Sequence, residues 1–481
     1  MGAIANTGIV SPELFGAVGN GIANDRAALV QAFAAGGCVH LRHGKVYNCG
    51  GQTLPIVGPL HVCGHGAEIR DAEITASGTP SGIVFEGVTF GTAVTSGAGL
   101  APYLVNLRNV DHITLRGCHF KGCLAYIAAT DGSPHYGVAV ENCRFTLDGS
   151  NFAWNTLQFD AVTITGYRHV VVTGNRFDLT NVTRAMKLSV GPTDAPAPAY
   201  VPRGVFVSHN TIRATADETG GKQIVDCFSG TVQTVFSENW IKAYGFSRGI
   251  ENKTGRAYVE TDIAAGHKIV NNYIDMDACP VFFQGNFGAA SYTQNSFDDL
   301  LIAGNTFRAE TFADGTLHVR FFNSVMVKDN HLLASGVADK LHMDIASCED
   351  IQISDNNVRG GGIHIGKATS NSNTDTFSGD VKRVTARGNI VTDYDINGAI
   401  TLKNITSGVE SLIIQGNAAS TSKDETDLLG AYVVTGCSSI AKALVQGNTA
   451  AHSANNAKAK LVVASSTIAT LKEADNSWEP A

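Results

Sequence analysis

Val170-Val-Val172-Thr-Gly-Asn175-Arg-Phe177 is an apolar residue, any residue, an apolar residue, two small or polar residues, Asn, any residue, and a closing apolar residue. The same phrase recurs as Ile113-Thr-Leu115-Arg-Gly-Cys118-His-Phe120, Leu300-Leu-Ile302-Ala-Gly-Asn305-Thr-Phe307 and Ile351-Gln-Ile353-Ser-Asp-Asn356-Asn-Val358. Marking the Asn or its equivalent gives positions 88, 118, 143, 175, 210, 239, 272, 305, 330, 356, 389, 417, 448 and 476, spaced 25 to 35 residues apart. Apolar alternation at period two marks short strands. The Gly-Asn, His-Asn or Asp-Asn step between them marks a tight turn with a left-handed residue. Each unit therefore reads as strand, turn, strand.

A unit of this length cannot bury its own apolar face, so it must stack on its neighbours in a solenoid or propeller. The period of two excludes helical repeats, and a propeller blade needs about 40 to 45 residues, four strands and a Trp-Asp signature. What remains is an all-β chain folded as a right-handed parallel β-helix of about fourteen turns, in which equivalent Asn side chains stack as a ladder about 4.8 Å apart.

The first turns differ. Asn24-Asp-Arg-Ala-Ala-Leu-Val-Gln-Ala-Phe33 offers an N-cap at Asn24, then helix formers, then a stop at Gly36-Gly37. This reads as an N-terminal helical cap over the open end of the solenoid, where backbone and core would otherwise be exposed. The expected organisation is residues 1–50 as cap and first turn and residues 51–481 as the β-helix.

Composition narrows the function. Of 481 residues, 44% are hydrophobic and 16% charged; 35 Lys and Arg stand against 43 Asp and Glu, a net charge of −8. That balance argues against nucleic acid as a partner. No apolar run reaches the roughly 18 to 20 residues of a membrane span, and Met1-Gly-Ala-Ile-Ala-Asn6 lacks the basic flank of a signal peptide. The ten cysteines include no Cys-x-x-Cys pair, so neither a metal site nor another cofactor is expected, and the cysteines read as small buried apolar residues.

Leu14-Phe15-Gly16-Ala17-Val-Gly19-Asn20-Gly21-Ile-Ala-Asn24-Asp25-Arg-Ala-Ala28, followed by Val39-His-Leu41-Arg-His-Gly44-Lys-Val-Tyr47, resembles the N-terminal signature of the pectate-lyase-like β-helix superfamily. It has Leu14, Asn20 and Asn24 where that signature commonly has Asp. The superfamily includes polysaccharide lyases, glycoside hydrolases, alginate epimerases and phage tailspike depolymerases, so the resemblance implies fold more than reaction. Gly64-His65-Gly66 lacks the Asn-Thr-Asp and Asp-Asp partners of polygalacturonase-like hydrolases and reads as a turn. Asp131-Gly-Ser-Pro134-His135 matches only part of the epimerase Asp-Pro-His signature.

Aligning the middle turns before a common Gly places Lys187, Asp226, Glu251 and Gln284 in one column, about 4.8 Å apart on one outward face. Two carboxylates at such spacing suit retaining or inverting glycoside hydrolysis, and their mutual repulsion would raise one pKa as a general acid needs. Arg184, Arg248, Lys253 and Arg256 surround the column and point to an acidic sugar. In a lyase such cations stabilise the uronate carboxylate while a base removes the C5 proton. Two inter-repeat insertions supply Tyr200 and Tyr292 for stacking on sugar rings. His318 with Arg320, His342 with Asp344, and His364 with Lys367 mark a second candidate groove. The plain alternative for all of these is a solvated strand face with cross-strand ion pairs.

The expectation is a polysaccharide depolymerase cleaving by hydrolysis, with Asp226, Glu251 and Lys187 catalytic and Gln284, Arg184, Arg248, Lys253, Tyr200 and Tyr292 binding substrate. The alternatives are a lyase and a non-catalytic glycan-binding fibre. The tailspike resemblance implies a homotrimer in a virion tail or the extracellular medium.

Overall fold

The computed structural model describes residues 9–92, 103–133, 135–149, 160–189, 203–216, 221–228, 232–253, 266–284, 299–310, 316–320, 322–334, 343–366, 381–394, 398–405, 408–421, 430–452, 460–464 and 466–480. These belong to two compact units, Met1–Thr231 with Tyr258–Glu260, and Val232–Ala257 with Thr261–Ala481.

In the first unit, Asp111–Arg116, His119–Lys121 and Leu124–Ala128 make one coil; His135–Glu141, Arg144–Asp148 and Asp160–Thr165 make the next; and Tyr167–Thr173, Arg176–Thr180 and Arg184–Ser189 make a third. Each coil thus carries a third strand beyond the strand-turn-strand of the repeat phrase. Every strand pairs in parallel with its counterpart one coil on, so that Ile113, Val138 and Val170 align, as do Phe120, Phe145 and Phe177, and Ile127, Ile164 and Leu188. These nine residues are buried. Because register repeats, like side chains meet: the Phe120 and Phe145 rings stack with centroids 4.6 Å apart, and Phe145 and Phe177 at 4.7 Å. Offset aromatic stacks of this kind add to the burial of each ring.

The second unit repeats the plan. Leu300, Val325, Ile351, Val384 and Leu412 align along one sheet. Val281, Leu317, Met343, Ile363, Ile400 and Tyr432 align along the other. Both rows are buried. Parallel coils of this kind are a β-helix.

The turn before each ladder position behaves as its sequence demands. All fourteen preceding residues, among them Gly174, His209, Asp329 and Asp355, have positive φ. Asn and Asp tolerate this conformation and Gly meets no penalty there. The ladder itself forms: Nδ2 of Asn272, Asn305, Asn330, Asn356, Asn389 and Asn417 each donates to Oδ1 of the next Asn at 2.9–3.0 Å. Each also reaches a carbonyl of the preceding coil, as Asn330 does with Ile302 O at 2.9 Å. Where Cys replaces Asn the thiol takes over that bond, Cys118 to Phe85 O and Cys143 to Leu115 O, both at 3.3 Å.

Near the N-terminus Arg26–Ala35 is helical and buries Ala28, Leu29, Ala32 and Phe33. Phe33 meets Phe85 edge-on at 6.4 Å. Its N-cap is Asp25 rather than Asn24. Asp25 is buried and turns back to accept Val18 N–H at 2.7 Å and Gly19 N–H at 3.1 Å, while Asn24 accepts Arg26 N–H at 3.1 Å. Gly64-His65-Gly66 is a turn with His65 and Gly66 at positive φ.

Candidate functional site

Alternation sends every second residue of a strand outward, so the residues between the apolar rows form outward columns. In the first unit the register pairs Thr163 with Lys187 and Lys187 with Asp226. The first half of the expected column therefore forms as aligned. Its environment is not the open face that was expected: Asp226 is 2% and Arg184 5% exposed. The Arg184 guanidinium bridges two carboxylates, with Nε 2.8 Å from Asp226 and Nη1 3.1 Å from Asp160. It also donates to Gln223 Oε1 at 3.3 Å. A buried ion pair persists only when such extra hydrogen bonds offset desolvation. Asp226 is thus occupied by a fixed cation.

His135, on the other sheet of this unit, has both ring nitrogens engaged. Nδ1 lies 3.2 Å from Asp111 and Nε2 3.2 Å from Asp131. With both nitrogens taken, this imidazole is held as a structural tie.

In the second unit the register corrects the expected column. Glu251 lies opposite Phe282, and Gln284 lies opposite Lys253. The alignment was displaced by two residues, a slip that leaves the inward and outward alternation intact and so escapes any test by hydrophobic pattern. Tyr200, Tyr292, Arg256, His342 and Lys367 fall outside the described residues, as do the side chains of Lys253 and Gln284.

From Glu251 the outward column runs Phe282, His318, Asp344, His364 and Thr401 on successive strands. Its side chains make one connected cluster. Glu251 is fully buried and ion-paired with Arg248. The Arg248 guanidinium lies 3.7 Å over the Phe282 ring, and Phe282 stacks on His318 with centroids 4.3 Å apart and planes 4° from parallel. Cation–π and stacked-ring contacts each add to the burial of the Phe282 ring.

Asp344 is the centre of the cluster. His318 Nδ1 is 3.3 Å, Arg320 Nη2 3.2 Å and His364 Nδ1 2.9 Å from its two oxygens. Burial opposes ionisation of this carboxyl, but the His364 hydrogen bond and the favourable electrostatics of His318, His364 and Arg320 prevail and hold it well below the usual carboxylate range. A carboxylate fixed against Nδ1 of an imidazole sets the tautomer that leaves Nε2 as the basic atom. His364 and Arg320 are the more open members, with side chains 15% and 18% exposed. Arg320 Nε is buried and meets no acceptor among the described residues. Gly366 makes room for the ring: a Cβ there would stand 3.2 Å from His364 Cε1 and 2.5 Å from Lys403 O.

The second groove read from the sequence thus has its His318, Arg320, Asp344 and His364 together. Phe282 was the member sequence reasoning passed over, since an aromatic residue in an apolar run looks like core.

No protein-family model matches the sequence, and no curated protein matches it. Solved structures do. The A-module of a mannuronan C-5 epimerase from Azotobacter vinelandii is 13% identical, with 96% of this chain and 98% of that one covered at a TM-score of 0.35. A tailspike protein of E. coli bacteriophage HK620, solved with a pentasaccharide, is 14% identical over 96% of this chain and 78% of that one, at 0.43. PfbA, a surface adhesin of Streptococcus pneumoniae, is 12% identical over 98% and 94%, at 0.29. At these identities and TM-scores none of them assigns a function to this chain.

Proposed function

We propose that the chain binds an acidic polysaccharide and cleaves it by β-elimination at the Asp344 cluster. The observation that carries this reading is a carboxylate holding two imidazoles and an arginine on one outward face of consecutive coils. Arg320, whose side chain is 18% exposed, engages the uronate carboxylate and stabilises the charge that develops when the adjacent C–H is ionised. His364 Nε2 takes the C5 proton, with Asp344 fixing its ring and stabilising the imidazolium. The C4–O bond then breaks, the double bond forms between C4 and C5, and the departing oxygen takes a proton from solvent, giving one new reducing end.

Hydrolysis by Asp226 and Glu251 draws less support, because each carboxylate is buried against an arginine. The burial of His318 and Asp344 favours a second reading, glycan binding without turnover. The proposal also includes a helix-capped homotrimer located in a virion tail or in the extracellular medium, and light scattering of the purified chain checks the trimer.

Turnover of a uronate polymer, set against the same polymer with its carboxyls reduced to alcohols, tests the assignment. Elimination by this cluster requires loss of turnover on reduction of the polymer and in His364→Ala. Equal turnover of both polymers would overturn it, and binding without turnover would leave the fibre.

A further inference from the structure

Eight of the ten cysteines are buried; Cys38 and Cys63 are the two that are not. They sit on neighbouring coils of the first unit, where Gly37–His40 pairs with Leu60–Cys63 so that Cys38 lies beside His61 and His40 beside Cys63. All three side chains share the outward face, since Val39 and Val62 between them are buried in the core. The next strand, Ser81–Glu86, places Glu86 beside Cys63.

Among the described residues, Cys38, His61 and Cys63 are the group whose ligand atoms converge within 4.8 Å of one another. The separations are specific. Cys38 Sγ and Cys63 Sγ are 3.8 Å apart, Cys63 Sγ and His61 Nε2 3.5 Å, and His61 Nε2 and Glu86 Oε2 3.3 Å. A tetrahedral zinc ion with Zn–S of about 2.3 Å and Zn–N of about 2.05 Å sets the S–S and S–N edges at about 3.8 and 3.6 Å. Both agree to about 0.1 Å, and the Glu86 contact orients the His61 ring.

A disulfide fits less well. One strand spacing of about 4.8 Å and two residues of rise at about 3.3 Å each put the Cα atoms of Cys38 and Cys63 about 8 Å apart. That exceeds the roughly 4.4–6.8 Å a disulfide spans.

We propose that Cys38, His61 and Cys63 bind a soft divalent transition metal ion of the zinc type, with water completing the tetrahedron. Binding is proton exchange without redox change: both thiols release their protons to solvent, and His61 Nε2 exchanges its contact with Glu86 for the metal. Because both thiols must lose their protons to ligate, binding strengthens as pH rises. The ion joins two successive coils near the N-terminus.

The test is titration of cobalt(II) into the full-length, metal-stripped, anaerobically reduced protein. One equivalent is expected to give a thiolate-to-cobalt charge-transfer band and the intense visible bands of a tetrahedral ion, both displaced by zinc. Cys38→Ser and Cys63→Ser are expected to lose the charge-transfer intensity and, with His61→Ala, about tenfold or more in affinity. Cys348→Ser, removing a buried thiol elsewhere, is expected to leave both unchanged. Far-ultraviolet circular dichroism of each metal-free variant separates loss of ligand from loss of fold. The proposal is overturned by absence of the bands at one equivalent, by bands that survive in folded Cys38→Ser and Cys63→Ser, or by tetrahedral bands without thiolate charge transfer.

Discussion

Asn330→Ala removes one interior rung of the ladder, and its cost follows from the bonds it breaks. Asn330 is wholly buried. Its Nδ2 reaches Ile302 O at 2.9 Å, Lys328 O at 2.8 Å and Asn356 Oδ1 at 2.9 Å, and its Oδ1 accepts from Asn305 N at 3.0 Å and Nδ2 at 2.9 Å. A net hydrogen bond is worth about 1 kcal/mol, and each buried group left without a partner costs about 1–3 kcal/mol. With donors on one side and carbonyls on the other left unmet, the expected loss is about 3–5 kcal/mol, a large share of a domain stability of about 5–15 kcal/mol. Asn476→Ala is the control. This last rung accepts from Asn448 N and Nδ2 at 3.0 and 3.1 Å but is half-exposed, so water replaces what is lost and the cost falls to about 1 kcal/mol. Asn330→Cys is expected to fall between, because Cys118 and Cys143 already make the carbonyl bond in the equivalent place. Because repeat arrays depart from two-state unfolding, the assay is hydrogen exchange of the amides at Asn305, Asn330 and Asn356, with urea denaturation beside it. An interior cost no larger than that of Asn476→Ala would refute the ladder as a source of stability.

Three further outcomes are expected. His267 is fully buried and its pKa is lowered to about 4 by that burial, so it stays neutral when folded, while the unfolded ring protonates below about 6.5. Stability is therefore complete above pH 6.5 and falls by about 3 kcal/mol as pH drops towards 4; urea melts of His267→Gln should lack most of that slope. Gly304 and Gly416 both have positive φ, but a Cβ on Gly304 would stand 2.4 Å from Asn271 Oδ1 whereas Gly416 has open space. Gly416→Ala should cost about 1–2 kcal/mol for the left-handed backbone alone, and Gly304→Ala clearly more, by the same melts. Asp344→Asn leaves two imidazoles and an arginine without their carboxylate, so a loss of about 3–5 kcal/mol is expected. Since the native carboxyl is held well below its ordinary value, that contribution is present above about pH 4 and lost as pH falls through the native pKa, and the acid limb of stability should flatten in the variant.

Most of the coil architecture was legible because it is written at two scales. The alternation within Val170–Phe177 gives the strands, and the 25 to 35 residue return of Asn gives the coils. Register was legible only in part: counted back from a common Gly, Lys187 and Asp226 align as read, while Glu251 and Gln284 do not. A two-residue slip keeps every apolar side chain inside, so nothing in composition opposes it. The burial of Asp226 and Glu251 was illegible for a different reason, since outward direction on a strand does not determine what covers the face. Cys38, His61 and Cys63 escaped notice because His61-Val-Cys63 is too short a spacing to signal a site by itself and Cys38 joins it only across coils.

The most direct test of the central claim follows two products at once when the full chain is incubated with a panel of uronate-containing and neutral polysaccharides: new reducing ends and the ultraviolet absorbance of an unsaturated uronate. The account predicts that both rise together on an acidic polymer and that both vanish in folded His364→Ala. Reducing ends that rise without absorbance, and that persist in His364→Ala while Asp226→Asn or Glu251→Gln abolishes them, would contradict it and return the chemistry to hydrolysis.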